Sequence, residues 1–146
     1  GTDMDALRAN LAARLGLSSR GVWHSIRTPV VRLGEAACAV SGALGKIGAD
    51  VSVMAQNEIA EIRLSGTGSS SAMPHKQNPV KAETLVALAR FNAVQLSGLH
   101  LGMIHETERS GTAWTLEWLV LPQMIVTAGA STRVTIELLK SVEELG

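Results

Sequence analysis

From Thr28 onward the chain carries an apolar repeat that a long helix satisfies. Val30, Leu33, Ala37, Val40, Leu44, Ile47, Val51 and Met54 recur every three or four residues, the spacing that lines side chains along one helical face. Thr28-Pro29 reads as an N-cap followed by proline at the first helical position. No strong stop follows before Leu64, so the sequence predicts a helix over about 29–64, roughly 50 Å long at about 1.5 Å per residue. Gly34, Gly42, Gly45 and Gly48 fall inside it. Each interior glycine costs about 1 kcal/mol relative to alanine. Four in one helix point to a use, and bringing helix backbones close together is the physical one.

The same reading finds a short amphipathic helix over about 4–15, with Leu7, Leu11 and Leu15 on one side. A third helix is predicted over about 79–105, opened by Asn78 as cap and Pro79. A fourth is predicted over about 112–145, kinked or briefly broken near Pro122. Aromatic residues are only 3% of the chain, which disfavours a sheet built on aromatic and β-branched pairs. The expectation is an all-α helical bundle within one domain.

Thirteen basic and thirteen acidic residues cancel, which argues against a nucleic-acid partner held by bulk positive charge. Arg32, Glu35, Lys46, Asp50, Glu58 and Glu61 interrupt the apolar run, so a membrane span is not expected. Long helices that are apolar on nearly two sides need other surfaces to bury against, and a homo-oligomer follows as the expectation. Cys38 is the single cysteine. It excludes a disulfide framework and fits a cytoplasmic protein. No signal-peptide pattern opens the sequence, and a first residue of Gly instead of Met suggests an excerpted piece.

Residues 66–83, GTGSSSAMPHKQNPVKAE, stand between the second and third helices. A tight turn needs only a Gly and an Asn or Pro. A helix N-terminus offers unpaired N–H groups and partial positive charge. Lys76 adds a full charge, Asn78 an amide donor, and Ser69, Ser70 and Ser71 hydroxyls. Such a set suits a substrate bearing carboxylates, and a serine could move a proton beside one of them. A Ser-rich linker with no chemistry explains the same residues. A phosphate-binding P-loop does not fit, because the Gly-Lys-Ser/Thr ending is missing. The position three before Lys76 is Met73, which excludes a Ser-x-x-Lys pair. No His, Cys and acidic residues cluster at metal-ligand spacing.

SSAMPHKQNP, residues 70–79, resembles the signature of the fumarase/aspartase superfamily, Gly-Ser-Ser-x-Met-Pro-x-Lys-x-Asn-Pro. One position departs: the leading Gly falls at Ser69, with Gly68 just before it. The resemblance implies an all-α long-helix domain with the stretch 65–77 as a catalytic loop. Ser70 matches the serine that acts as catalytic base in the eliminating members. Lys76 and Asn78 match residues that bind a substrate carboxylate, and Ser71 and Met73 stand in the same substrate-facing signature. Glu83 matches a glutamate that orients the general-acid histidine. No cofactor and no metal are implied. Family members are homotetramers whose sites draw on several subunits.

Two branches of the superfamily share VWHSIR-like and MPHK stretches, the adenylosuccinate lyases and the 3-carboxy-cis,cis-muconate cycloisomerases. HETERSGTAWTLEWLVLP, residues 105–122, is more similar to the cycloisomerase pattern. That branch implies lactonisation of a small polycarboxylate in aromatic catabolism. His24 is a substrate-binding candidate, with a structural hydrogen bond as the alternative, and His75 occupies a variable signature position. His100 is expected to be structural, Glu108 and Arg109 to pair locally, and Trp114 and Trp118 to pack on one helix face. The family also has segments before and after this stretch, including the one bearing the general-acid histidine, so the stretch alone is expected to be inactive. A non-catalytic helical assembly module is the rival of another class.

Overall fold

The computed structural model describes residues 3–66, 68–69 and 77–146. Among the described residues four helices carry the fold: α1 (Met4–Arg14), α2 (Thr28–Met54), α3 (Val80–Leu101) and α4 (Gly111–Lys140). Four short strands accompany them: β1 (Ile62–Leu64), β2 (Gly68–Ser69), β3 (Gln77–Asn78) and β4 (Val142–Leu145). The architecture is all-α, with α2, α3 and α4 packed on one another as an up-down-up bundle. α1 opens on Asp3, whose carboxylate accepts from the N–H groups of Asp5 and Ala6. It buries no residue, so its leucine face stays open.

The phase of α2 differs from the apolar reading in an instructive way. Its buried face is Val31, Gly34, Ala37, Ser41, Gly45, Gly48 and Val51. The larger Leu33, Val40 and Ile47, spaced by seven, are 50, 46 and 37% exposed. Small residues therefore face the helix's own neighbours, and a stripe of large ones flanks them facing outward. A Cβ on Gly45 would stand 2.4 Å from the Ala89 Cβ. One on Gly48 would stand 2.5 Å from the Ala82 carbonyl oxygen. These contacts are what the interior glycines permit.

Two apolar clusters hold the bundle, one at each end. Val31, Ala37, Leu99, Val120 and Met124 close the end where α2 begins and α3 finishes. Val51, Ile62, Leu64, Ala82, Leu85 and Leu138 close the other, where α3 begins and α4 finishes. Between them Asn92, fully buried, donates to the Ser41 hydroxyl at 3.0 Å and the Met124 carbonyl at 3.2 Å. One side chain thus ties three helices in register, in the way a buried polar residue fixes a coiled coil. Asn92→Ala removes those bonds and opens a small cavity. It is expected to lower stability by about 2 kcal/mol, measured as a fall in the urea midpoint.

Several boundaries differ from the sequence expectations. α2 stops at Met54, ten residues before Leu64. The chain turns through Ala60, which has φ +51°, and returns as β1. Ile62 and Leu64 alternate inward to the core while Arg63 points out to Glu143 and Glu144 at 3.3 and 2.9 Å. β1 pairs antiparallel with β4, so the last residues leave the expected fourth helix to complete that ladder. α3 ends at Leu101 instead of His105, capped at Gly102. α4 runs without a break through Pro122, which lies on its exposed side. Neither Thr28 nor Asn78 caps a helix by its side chain: the N-caps are Arg27 and Pro79. α2 and α4 are long and apolar enough by length and composition to cross a membrane, as core helices also are.

Candidate active site

The candidate site is built at the N-terminal end of α3. β2 and β3 pair antiparallel, Gly68 opposite Asn78 and Ser69 opposite Gln77. The two ends of the Ser-rich stretch are therefore clasped together directly in front of the helix. Gly68 packs against this start, since a Cβ there would stand 3.1 Å from Val80 Cγ2. Asn78 is half-buried in β3, and Glu83 is exposed in the first turn of α3. The Glu83 N–H donates to the Pro79 carbonyl at 3.0 Å, and the N–H groups before it in the first turn have no partner within the helix.

A shallow cleft runs beside this helix start, lined by Leu64, Ser65, Gly66, Asn78, Lys81 and Ser141 among others. Its floor is tied down by Ser65, whose N–H and hydroxyl both donate to the Ser141 carbonyl, at 2.7 and 3.2 Å. Asn78 and Lys81 both line this cleft beside the helix start, and a helix N-terminus favours anions such as carboxylates. Among the described residues no group of His, Cys, Asp and Glu could hold a metal ion. Ser70, Ser71, Met73, His75 and Lys76 lie outside the described residues.

His24 is not brought to this cleft. It is exposed in the turn before α2, at the end of the bundle where α3 finishes. The 22 residues of α3 separate the two ends by about 33 Å at about 1.5 Å per residue. Within one chain, Asn78 and Glu83 stand at the start of α3 and His24 stands at the other end of the bundle.

The end near His24 holds a buried charged cluster that the sequence reading did not single out. Arg27 donates from Nε to Glu117 Oε1 at 2.7 Å, and a second guanidinium nitrogen pairs with Oε2. A third donates to the Trp23 carbonyl at 2.7 Å. The Glu117 side chain is only 4% exposed. His105, also buried, places Nε2 at 3.7 Å from Glu117 Oε1 and accepts from the Ser110 N–H at Nδ1. Hydrogen bonding to Glu117 raises the Arg27 pKa, so the guanidinium stays charged. A signal for Glu117 was present: it falls in phase with Ala113, Val120 and Met124 on the buried face of α4. A carboxylate in that phase calls for a buried cation.

Arg109 lies over the Trp114 ring at 4.9 Å, where the sequence suggested a pair with Glu108. Trp114 and Trp118 meet edge to face at 5.4 Å, as their four-residue spacing predicts. His100 is exposed, 3.8 Å from Glu35.

With this geometry in place, comparison with known proteins identifies the class. Residues 7–94 match the protein family described as Lyase, and the chain belongs to that family. It is 41% identical to the 3-carboxy-cis,cis-muconate cycloisomerase of Acinetobacter baylyi over 125 residues, covering 83% of this chain and 28% of that protein. It is also 41% identical to the nitrosuccinate lyase of Streptomyces davaonensis over 121 residues, covering 80% and 25%. Among solved structures, the 3-carboxy-cis,cis-muconate lactonizing enzyme of Pseudomonas putida superposes with a TM-score of 0.80 at 33% identity, covering 94% of this chain and 30% of that one. The fumarate lyase of Mesorhizobium superposes with a TM-score of 0.83 at 27% identity, covering 99% and 32%. The chain thus has the fumarate lyase fold and spans about a quarter to a third of the length of these relatives.

Proposed function

We propose that the whole protein carrying this chain is a 3-carboxy-cis,cis-muconate cycloisomerase, acting in aromatic catabolism in the cytoplasm. The observation that carries the reading is the 70–79 signature ending on the clasped start of α3, in a chain similar to cycloisomerases from several bacteria. In the reaction, one carboxylate oxygen adds across a conjugated double bond. Negative charge develops on the carboxylate beside the neighbouring carbon, and a proton arrives at that carbon. Counted as neutral acids, substrate and product are isomers; as the ions, the tricarboxylate takes up one proton and becomes a lactone with two carboxylates. The work is to clamp carboxylates and stabilise the enediolate-like charge, which fixed donors accomplish.

Lys76, Asn78 and the α3 N-terminus hold a carboxylate in this scheme, with Ser71 and Met73 against the substrate. Ser70 moves the proton, and Glu83 orients an acid supplied from outside this chain. His24 meets substrate at a site completed by another copy, because its end of the bundle is about 33 Å from Glu83 by helix rise. The outward stripe of Leu33, Val40 and Ile47 is the surface on which copies pack, and a homotetramer is the assembly proposed.

A second reading has its own support. The nitrosuccinate lyase is as similar as the cycloisomerase, at 41% identity. An eliminating lyase would use the same clamp, with Ser70 removing the Cβ proton, the double bond forming and the substituent on the adjacent carbon departing with its bonding pair, which yields fumarate. The test follows loss of the conjugated-diene absorbance of 3-carboxy-cis,cis-muconate, with nitrosuccinate and adenylosuccinate in parallel. Loss of the diene signal, reduced on the order of a hundredfold or more by Ser70→Ala, is the expected result. Turnover of a parallel substrate alone would move the protein to the eliminating branch.

A further inference from the structure

The Arg27–Glu117 pair is buried, bidentate and distant from the α3 cleft, and nothing in the proposed chemistry uses it. Its third bond gives it a use. The guanidinium spends two donors on the Glu117 carboxylate and a third on the Trp23 carbonyl, the residue immediately before His24. Glu117 belongs to the rigid α4, whereas Trp23 and His24 lie in the exposed segment between α1 and α2. The Arg27 guanidinium thus ties that segment to α4.

We propose that Glu117 and Arg27 are positioning residues that fix where His24 stands. The proposal rests on the reading above in which His24 meets substrate. His105 sharpens it. Packed at 3.7 Å from Glu117 Oε1 and itself buried, it blocks the carboxylate from swinging away, so the fork geometry of Arg27 has one fixed counterpart. A planar guanidinium can grip a carboxylate and a carbonyl together; an ammonium cannot match that fork. The brace therefore transmits the position of α4 to His24 through three hydrogen bonds and one peptide unit.

Two readouts test this separately. A nitroxide attached at Ser25→Cys in a Cys38→Ala background reports the mobility of the segment. Glu117→Gln keeps the side-chain volume, and Arg27→Lys keeps the buried positive charge, so the bundle has two independent chances to remain folded. Both variants are expected to shift the label toward fast nanosecond motion while helical circular dichroism stays unchanged. In the whole protein, each is expected to lower kcat/KM by tenfold to about a hundredfold, the scale of a misplaced substrate-positioning group. Added to His24→Ala, Glu117→Gln is expected to cause no further loss, because it acts through His24.

A label equally immobile in both variants would overturn the brace. Losses that multiply in the double variant would overturn its action through His24. Absence of turnover with every substrate, even in the unaltered protein, would condemn the proposed reaction and leave the spin-label result to decide the brace.

Discussion

Gly48→Ala is expected to lower stability by about 3 kcal/mol, while Gly42→Ala, six residues earlier on the same helix, raises it by about 0.5–1 kcal/mol. The two changes add the same atom. At Gly42 nothing stands within 4 Å of the new Cβ, so only the lower conformational freedom of the unfolded chain counts. At Gly48 the new Cβ meets the Ala82 carbonyl oxygen at 2.5 Å and the Leu85 Cβ at 2.8 Å. The nearest obstacle is backbone, which cannot rotate aside, so α3 must move away from α2. That movement disturbs Ala82 and Leu85, both fully buried in the cluster that closes this end of the bundle. It also carries the helix start, and with it Asn78 and the cleft. Urea midpoints of the two variants against the unaltered protein decide the matter. Equal shifts of the same sign would mean that close approach is not what Gly48 provides.

This contrast marks how far the sequence could be read. The existence of long helices, their approximate starts, and the value of interior glycines follow from local spacing and backbone entropy. The face each helix turns inward does not. On α2 the large apolar residues and the small ones form adjacent stripes, and both are compatible with burial. The structure turns the small stripe toward α3 because glycine, alanine and serine permit the backbone approach recorded at Gly45 and Gly48. The large stripe is left facing outward. Ending α2 at Met54 was equally hidden, since Ile62, Arg63 and Leu64 continue an apolar pattern that a helix or a two-residue alternation would satisfy. Their partner, Val142–Leu145, lies some eighty residues away, beyond any local signal.

The candidate site divides in the same manner. The loop signature was legible because its residues are contiguous, and the structure places its described end, Asn78, against a helix N-terminus. That His24 and Glu83 occupy opposite ends of the bundle was not legible. It follows from the antiparallel run of α2 and α3, which carries residues just before α2 away from residues at the start of α3. The buried cluster at Arg27 and Glu117 was also missed, since 90 residues separate the partners.

Glu117→Ala is expected to lower stability by about 3–5 kcal/mol, the cost of leaving the partner of a buried ion pair uncompensated. Arg27 has 16% of its side chain exposed and Glu117 4%, so water replaces little of what is lost. Truncation also opens space beside His105, whose Nε2 already has no hydrogen-bond partner among the described residues. A merely exposed pair would cost at most about 1 kcal/mol, which separates the two cases by a measurable margin in the urea midpoint. The arginine's own titration sets how this contribution varies with pH. Its folded pKa is raised by the bond to Glu117, so its contribution is fully present below the unfolded value and is lost only as pH rises through the folded one. Both lie above the ordinary working range, and from Arg27's side the stabilisation should stay level from neutral to mildly alkaline pH. Removing both partners tests the logic further. Arg27→Met with Glu117→Leu leaves no orphaned charge and should recover much of the loss. It would nevertheless release the Trp23 carbonyl, because methionine offers it no donor. Stability restored without restored order in the segment around His24 would show that the pair's distinctive contribution is placement, since apolar packing can replace the remainder.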